Sequence, residues 1–165
     1  MAPSTMNGVL RDPSSDSPEV VAFPPMLYLT AFAIGLVMHF LFPIGRLLSL
    51  PARLLGVFLI AASGALAIPA KRAMRRAGTN INPKLPATAM VTDGPFRYTR
   101  NPLYLSLAAL YAGLALLIGA VWPLVWLVPL MILVHWGVVR REERYLEAKF
   151  GDAYRAYKAR VRRWI

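Results

Sequence analysis

Three long stretches of this chain run without charge, and the polar residues between them are grouped rather than interleaved. Met26 to Phe42 holds no Asp, Glu, Lys or Arg, and Pro24 and Pro25 stand at its start. At about 1.5 Å per residue it nearly crosses a hydrocarbon core of roughly 30 Å, so it reads as a first transmembrane helix. The linker Pro43 to Arg53 holds two arginines, and Leu54 to Ala70 is a second uncharged run. Its small residues Gly56, Ala61, Ala62, Ser63, Gly64 and Ala65 favour close helix packing in lipid. Pro102 to Val139 is uncharged over 38 residues, too long for one span and interrupted by Gly119, Trp122 and Pro123. The pattern predicts two helices joined by a tight hairpin at Gly119 to Pro123, and four spans in all.

The polar segments divide by character. Residues 1 to 22 are rich in Ser, Pro and Asp and read as a flexible tail. With acidic residues directly before the first apolar run, they do not form a signal peptide. Lys71, Arg72, Arg75 and Arg76 lead into a loop, Gly78 to Asp93, that Pro83 and Pro86 punctuate and that is too polar for lipid. From Arg140 the chain is charged through Glu147. Gly151 suits a helix end and Asp152 the cap of a last helix. In that helix Tyr154, Tyr157, Val161 and Trp164 recur at spacings of three and four, the pattern of an amphipathic helix at a membrane interface.

Composition sharpens this picture. The 165 residues are 57% hydrophobic with a mean hydropathy of +0.48, and residues 23 to 165 read as one all-α integral-membrane domain. A net charge of +11 does not point to nucleic acid, because the cations adjoin the apolar runs, where anionic lipid headgroups lie. The segment 71 to 100 has seven Lys and Arg, the tail 140 to 165 has nine, and Gly119 to Pro123 has none. The positive-inside rule therefore makes the protein multi-pass, with the hinge loop and both termini cytoplasmic. There is no cysteine, and His39 and His135 stand apart, so no metal is expected. His39, with no partner near it in sequence, is read as a structural histidine.

The chain is organised around Gly94-Pro95-Phe96-Arg97-Tyr98-Thr99-Arg100-Asn101-Pro102-Leu103-Tyr104. Each proline pushes the residue before it out of the helical region, so at most one turn fits between them, and Pro102 suits the first position of the next helix with Asn101 as its cap. The free N–H groups of that helix start, together with Arg100, form a corner that attracts a carboxylate or phosphate, with Tyr98 and Tyr104 as walls. Arg97 reads equally as a headgroup anchor.

The carboxylates of the tail separate by helical position. Glu143 and Glu147 stand within reach of Arg140 and Arg144, so ion pairing explains them. Glu142 has only Val138, Val139, Tyr145 and Leu146 at those offsets and needs donors from elsewhere in the fold, which marks it as a ligand-binding candidate.

Gly94-Pro95-Phe96, Arg100-Asn101-Pro102-Leu103-Tyr104, the hairpin, Glu142-Glu143, Phe150-Gly151, Tyr154, Tyr157, Val161 and Arg163 follow one another in an order that resembles the isoprenylcysteine carboxyl methyltransferase and phospholipid methyltransferase superfamily. The resemblance covers roughly residues 50 to 163. It implies a helical membrane enzyme whose loop and tail close over S-adenosylmethionine, with an opening towards lipid for a hydrophobic, lipid-like or prenylated acceptor. By the same analogy Arg100, Asn101, Pro102, Tyr104, Glu142 and Glu143 line the cofactor pocket, with Arg100 the candidate catalytic residue. Many members carry His where this chain has Asn101. A carboxylate acceptor, already ionised at pH 7, needs no base, and none is evident near the hinge, which favours carboxyl O-methylation. The rival readings are an NADPH-dependent membrane reductase of similar fold and a scaffold whose basic tail binds anionic lipid.

Overall fold

The computed structural model describes residues 17–44 and 49–165, and among them every regular element is a helix. Helix α1 is Pro24–Leu41, α2 is Leu50–Arg76, α3 is Pro102–Ile118, α4 is Val121–Val134, α5 is Arg140–Phe150 and α6 is Asp152–Arg160. A single 3-10 turn, Gly94–Arg97, fills the space between the two hinge prolines, as their steric effect requires. A π-helical segment, His135–Val139, joins α4 to α5, so Val121–Phe150 runs as one long helix. Three helices, Pro24–Leu41, Leu50–Arg76 and Val121–Phe150, are long and apolar enough to cross a membrane. Helix α3 is apolar but shorter, at 17 residues. Phe40, Leu54, Phe58 and Val128 face outward, an arrangement suited to a surface in contact with lipid.

Helix α2 packs along α3, and α1 along α4. The first pair meets backbone to backbone: a Cβ on Gly56 would lie 2.8 Å from the Gly113 carbonyl oxygen, and one on Gly113 would lie 2.7 Å from that of Gly56. The second meets at Gly35, where a Cβ would lie 2.6 Å from Pro123 Cα. Between the pairs sits a core of Tyr28, Tyr104, Tyr111, Leu130, Val134, Val138 and Val139. Phe32 and Tyr111 meet there edge to face at 5.0 Å, and the Tyr28 hydroxyl donates to the Tyr104 carbonyl at 3.2 Å.

Several details depart from the sequence reading. The hairpin is narrower than Gly119 to Pro123: Gly119, at φ 79°, and Ala120 make the turn, and Pro123 lies buried in the first turns of α4 against Gly35. Helix α2 begins at Leu50 rather than Leu54, because Pro51 suits its first turn and the Ser49 hydroxyl accepts from the Ala52 N–H. It also continues through the basic cluster to Arg76. Helix α6 turns its tyrosines inward. Tyr154 and Tyr157 are buried against protein, and the Tyr157 hydroxyl donates to the Phe96 carbonyl at 2.7 Å. Gly151, at φ 55°, ends α5 and precedes α6, while Asp152 spends its carboxylate on Arg155 rather than on capping. Of the N-terminal segment, residues 1–16 lie outside the described residues, as does Arg46. Its last part is docked, with Pro18 buried and the Val21 N–H donating to the Gly137 carbonyl at 3.3 Å.

Candidate functional site

The hinge is held in place by the end of the chain. Thr99 and Arg162 form a single parallel bridge, and the Arg100 N–H donates to the Arg162 carbonyl at 3.0 Å. The Arg163 carbonyl accepts from Thr99 Oγ1 at 3.1 Å and from Asn101 Nδ2 at 2.9 Å. Asn101 stands at the N-cap position of α3, but its side chain does not cap the helix. The competing carbonyl of Arg163 takes its amide, and Thr99 Oγ1 receives the Asn101 N–H. Asn101 is thus a clasp between hinge and tail, which corrects its reading as a side-chain cap.

Glu143 lies at the centre of this clasp. Its carboxylate receives Arg163 bidentately, Nε on Oε1 at 3.0 Å and Nη2 on Oε2 at 2.7 Å. Arg100 Nη2 approaches Oε1 at 3.2 Å. The expected pairing of Glu143 with Arg140 is therefore wrong, as is that of Glu147 with Arg144: Glu147 binds Lys158 at 3.0 Å, and Arg140 lies over the Trp136 ring. In both cases a partner distant in sequence displaces a helical neighbour. The hydrogen bonds to Glu143 hold the Arg163 guanidinium more firmly protonated than usual.

Arg100 is unfinished by the protein. Its side chain is 8% exposed, as is that of Glu143, yet its Nε and Nη1 are buried with no hydrogen-bond partner among the described residues. Two guanidiniums share the Glu143 carboxylate, so it does not satisfy Arg100 by itself. Burying such groups is costly unless an anion or another acceptor completes them. A carboxylate oxygen is an acceptor suited to either of these N–H groups, which point to different sides of the guanidinium.

Two adjoining cavities share this wall. A small one of about 80 Å³ lies under the 78–93 loop, with Glu143, Tyr154 and Tyr157 on its floor. A larger one of about 580 Å³ lies between the start of α1, α2 and α3. Arg100, Asn101, Glu142, Phe96, Asn82 and Met74 line both. The loop is held by one bond of its own, Thr88 Oγ1 donating to the Gly78 carbonyl at 2.6 Å, and by one to α5, the Ala87 N–H donating to the Tyr145 hydroxyl at 3.0 Å. Burial pushes the Tyr157 hydroxyl up to about 12 and raises that of Tyr154 as well, so both are neutral donors at physiological pH.

Each of the six candidate residues lines one cavity or both: Arg100, Asn101 and Glu142 stand on the shared wall, Glu143 in the smaller cavity, and Pro102 and Tyr104 in the larger. Pro102 is buried as the first residue of α3 and lines the larger cavity. Glu142 finds its donor outside its own helix, in the Tyr104 hydroxyl at 2.7 Å. Arg97 and Tyr98 are exposed and reach neither cavity, which fits the reading of Arg97 as a surface anchor and removes Tyr98 as a wall. The sequence reading placed Arg163, Tyr154 and Tyr157 in the tail without giving them a site role. Their only signal was membership in the ordered motif, because a basic tail has no periodicity that singles out one arginine. His135 was likewise unassigned; it lies 3.5 Å from Arg163 Nη1 and accepts from Trp164 Nε1 at 3.4 Å. Among the described residues no group of His, Asp and Glu is placed to hold a metal ion.

A family model described as phospholipid methyltransferase matches residues 51–153, a segment that contains all six candidates. A curated relative from Haemophilus influenzae, described as an uncharacterized protein, is 42% identical over 65 residues, covering 38% of this chain and 100% of the relative. No solved structure matches the chain significantly.

Proposed function

We propose, from the premise that this chain belongs to the phospholipid methyltransferase family, that it is an S-adenosylmethionine-dependent enzyme methylating a hydrophobic, lipid-like acceptor. The observation that carries the proposal is Arg100, buried with N–H groups that have no partner among the described residues, on the wall shared by the two cavities. The chemistry of that wall fits the cofactor. Arg100 would hold its carboxylate, the Asn101–Pro102 helix start would favour the same negative charge, and Glu142 or Glu143 would accept from its amino or ribose hydroxyl groups. Glu143 is already saturated by two arginines, so the accepting role falls to Glu142.

S-adenosylmethionine supplies a methyl group activated by a sulfonium. The residues of the chain contribute alignment and water exclusion, the main needs of an in-line displacement without a covalent enzyme intermediate. The 78–93 loop and the tail close the smaller cavity, and the larger cavity presents the acceptor to the shared wall. A carboxyl acceptor requires nothing more. A specific observation also favours a second reading, an amine acceptor: Glu142, accepting from the Tyr104 hydroxyl and lining both cavities, is placed to take a proton from an ammonium group. The argument for a carboxyl acceptor rested on finding no such base.

For the membrane we propose four spans, with α3 as the fourth and the hinge loop and both termini cytoplasmic. Accessibility tags within 78 to 90 and at residue 165 should both report from the cytoplasm; labelling of the loop from the opposite side overturns this topology. The enzymatic reading is tested by titrating purified protein with S-adenosylhomocysteine, which should raise its melting temperature by mass action. Stabilisation by NADPH instead would identify the reductase, and no response to either would leave the lipid scaffold.

A further inference from the structure

Gly35, Gly56 and Gly113 each sit where a Cβ would collide with a neighbouring helix, so packing accounts for them. Gly64 is different. It lies in the interior of α2 with nothing within 4 Å of the position its Cβ would take, and it lines the larger cavity. A mid-helix glycine weakens the helix relative to alanine, and here no close contact requires one. What it provides is room.

The same wall of α2 carries Ser63, Gly64, Ala67 and Lys71, opposite Leu107 and Leu110 of α3. Lys71 stands two turns beyond Gly64, about 10 Å along the axis towards the hinge. It is exposed and has no ion-pair partner among the described residues. A stripe of small residues alone would say little, but Arg100, with its unpartnered buried N–H groups, borders the same cavity. The cavity is therefore apolar at the Gly64 end and polar at the other, where Arg100 and Glu142 stand at the shared wall and Lys71, with no ion-pair partner among the described residues, is the cation left for the anionic group of a hydrocarbon chain.

We infer that the larger cavity takes the acceptor lipid by its hydrocarbon chain, laid along Gly64 and Ala67 with an anionic group at Lys71, and that the room at Gly64 sets the longest chain admitted. This rests on the methyltransferase reading for the events at Arg100, and on the cavity alone for the chain slot.

The full chain in lipid nanodiscs, saturated with S-adenosylhomocysteine, is probed with single-chain alkyl phosphates of graded length, one of them photoactivatable, and with uncharged alkanols of matching length. Cross-links should map to residues 63 to 71 and 103 to 110. Affinity should rise about fourfold per added methylene up to a limiting length, as expected for burying each one. Gly64→Phe should move that limit to shorter chains, Gly64→Leu should move it less, and Gly64→Ala hardly at all. Lys71→Gln should weaken the alkyl phosphates roughly fivefold and leave the alkanols unchanged, because only the former lose a charge-assisted contact. Cross-links elsewhere, or one unchanged limiting length in both Gly64→Phe and Gly64→Leu, overturn the inference. If S-adenosylhomocysteine fails to stabilise the parent protein while Gly64→Phe still shortens the limit, the methyltransferase reading falls and the chain slot stands.

Discussion

Arg100→Met separates a residue kept for binding from one kept for folding. In the parent protein Arg100 contributes one contact to Glu143, at 3.2 Å, while its Nε and Nη1 have no partner. Each unsatisfied buried donor costs about 1 to 3 kcal/mol, so two of them cost roughly 2 to 6. Methionine removes both penalties and fills much of the same volume. The loss is the Glu143 contact, worth up to about 3 kcal/mol for a charged hydrogen bond, and Glu143 remains bidentately satisfied by Arg163. The unliganded variant should therefore melt no lower than the parent within about 1 kcal/mol, and can melt higher. Its ligand response should collapse. At a concentration 100 times Kd the parent gains about 2.7 kcal/mol from S-adenosylhomocysteine, and losing one charge-assisted interaction of about 1.5 to 3 kcal/mol weakens binding tenfold or more and at least halves that gain. Differential scanning of both proteins in one detergent, with and without S-adenosylhomocysteine, measures both quantities. A variant that melts much lower yet keeps its full ligand shift would show that Arg100 is a structural ion-pair residue and would sink the argument from its unpartnered groups.

Glu143→Gln should act in the opposite sense. It removes the one carboxylate that holds Arg100 and Arg163, costing about 3 kcal/mol for a broken buried pair, somewhat less because the Arg163 side chain is 31% exposed. Limited proteolysis should then release the tail beyond Gly151. Glu142→Gln keeps an acceptor for the Tyr104 hydroxyl, so it should melt within about 1 kcal/mol of the parent while weakening ligand binding; equal melting losses in the two variants would defeat this division of roles. Gly56→Leu should destabilise by about 1 to 3 kcal/mol or more, since its Cβ would meet the Gly113 carbonyl at 2.8 Å, and an unchanged melting temperature would contradict the close contact of α2 and α3. Burial raises the Tyr157 hydroxyl to about 12, so the folded state holds that proton more tightly than the unfolded chain, whose tyrosines titrate near 10. The stability it contributes is complete below about pH 10 and lost as pH rises towards 12, and Tyr157→Phe should flatten the loss of tail protection over that interval.

The sequence by itself determined what depends on neighbours along the chain. Uncharged length is enough to mark a helix that suits lipid, and two prolines seven residues apart leave room for one turn, so the helical class, the Gly94–Arg97 turn and the start of α3 at Pro102 were all legible. Small residues marked the α2 contact, although Gly56 and Gly64 look alike in sequence and only the structure shows one pressed against α3 and the other facing empty space. The candidate residues were legible as an ordered motif, but their partners were not. Helical spacing offered Arg140 to Glu143, whereas Glu143 binds Arg100 and Arg163, and Glu142 receives a proton donor from 38 residues away. The π segment His135–Val139 adds to this difference, because its wider turn shifts the register between the apolar face of α4 and the carboxylates of α5. The tail shows the same limit: its tyrosines have the spacing of a face that seeks an apolar surface, and that spacing is identical whether the surface is lipid or protein. What decided between them was the hinge, whose Phe96, Thr99, Arg100 and Asn101 present backbone and side-chain groups that only the folded-back tail meets.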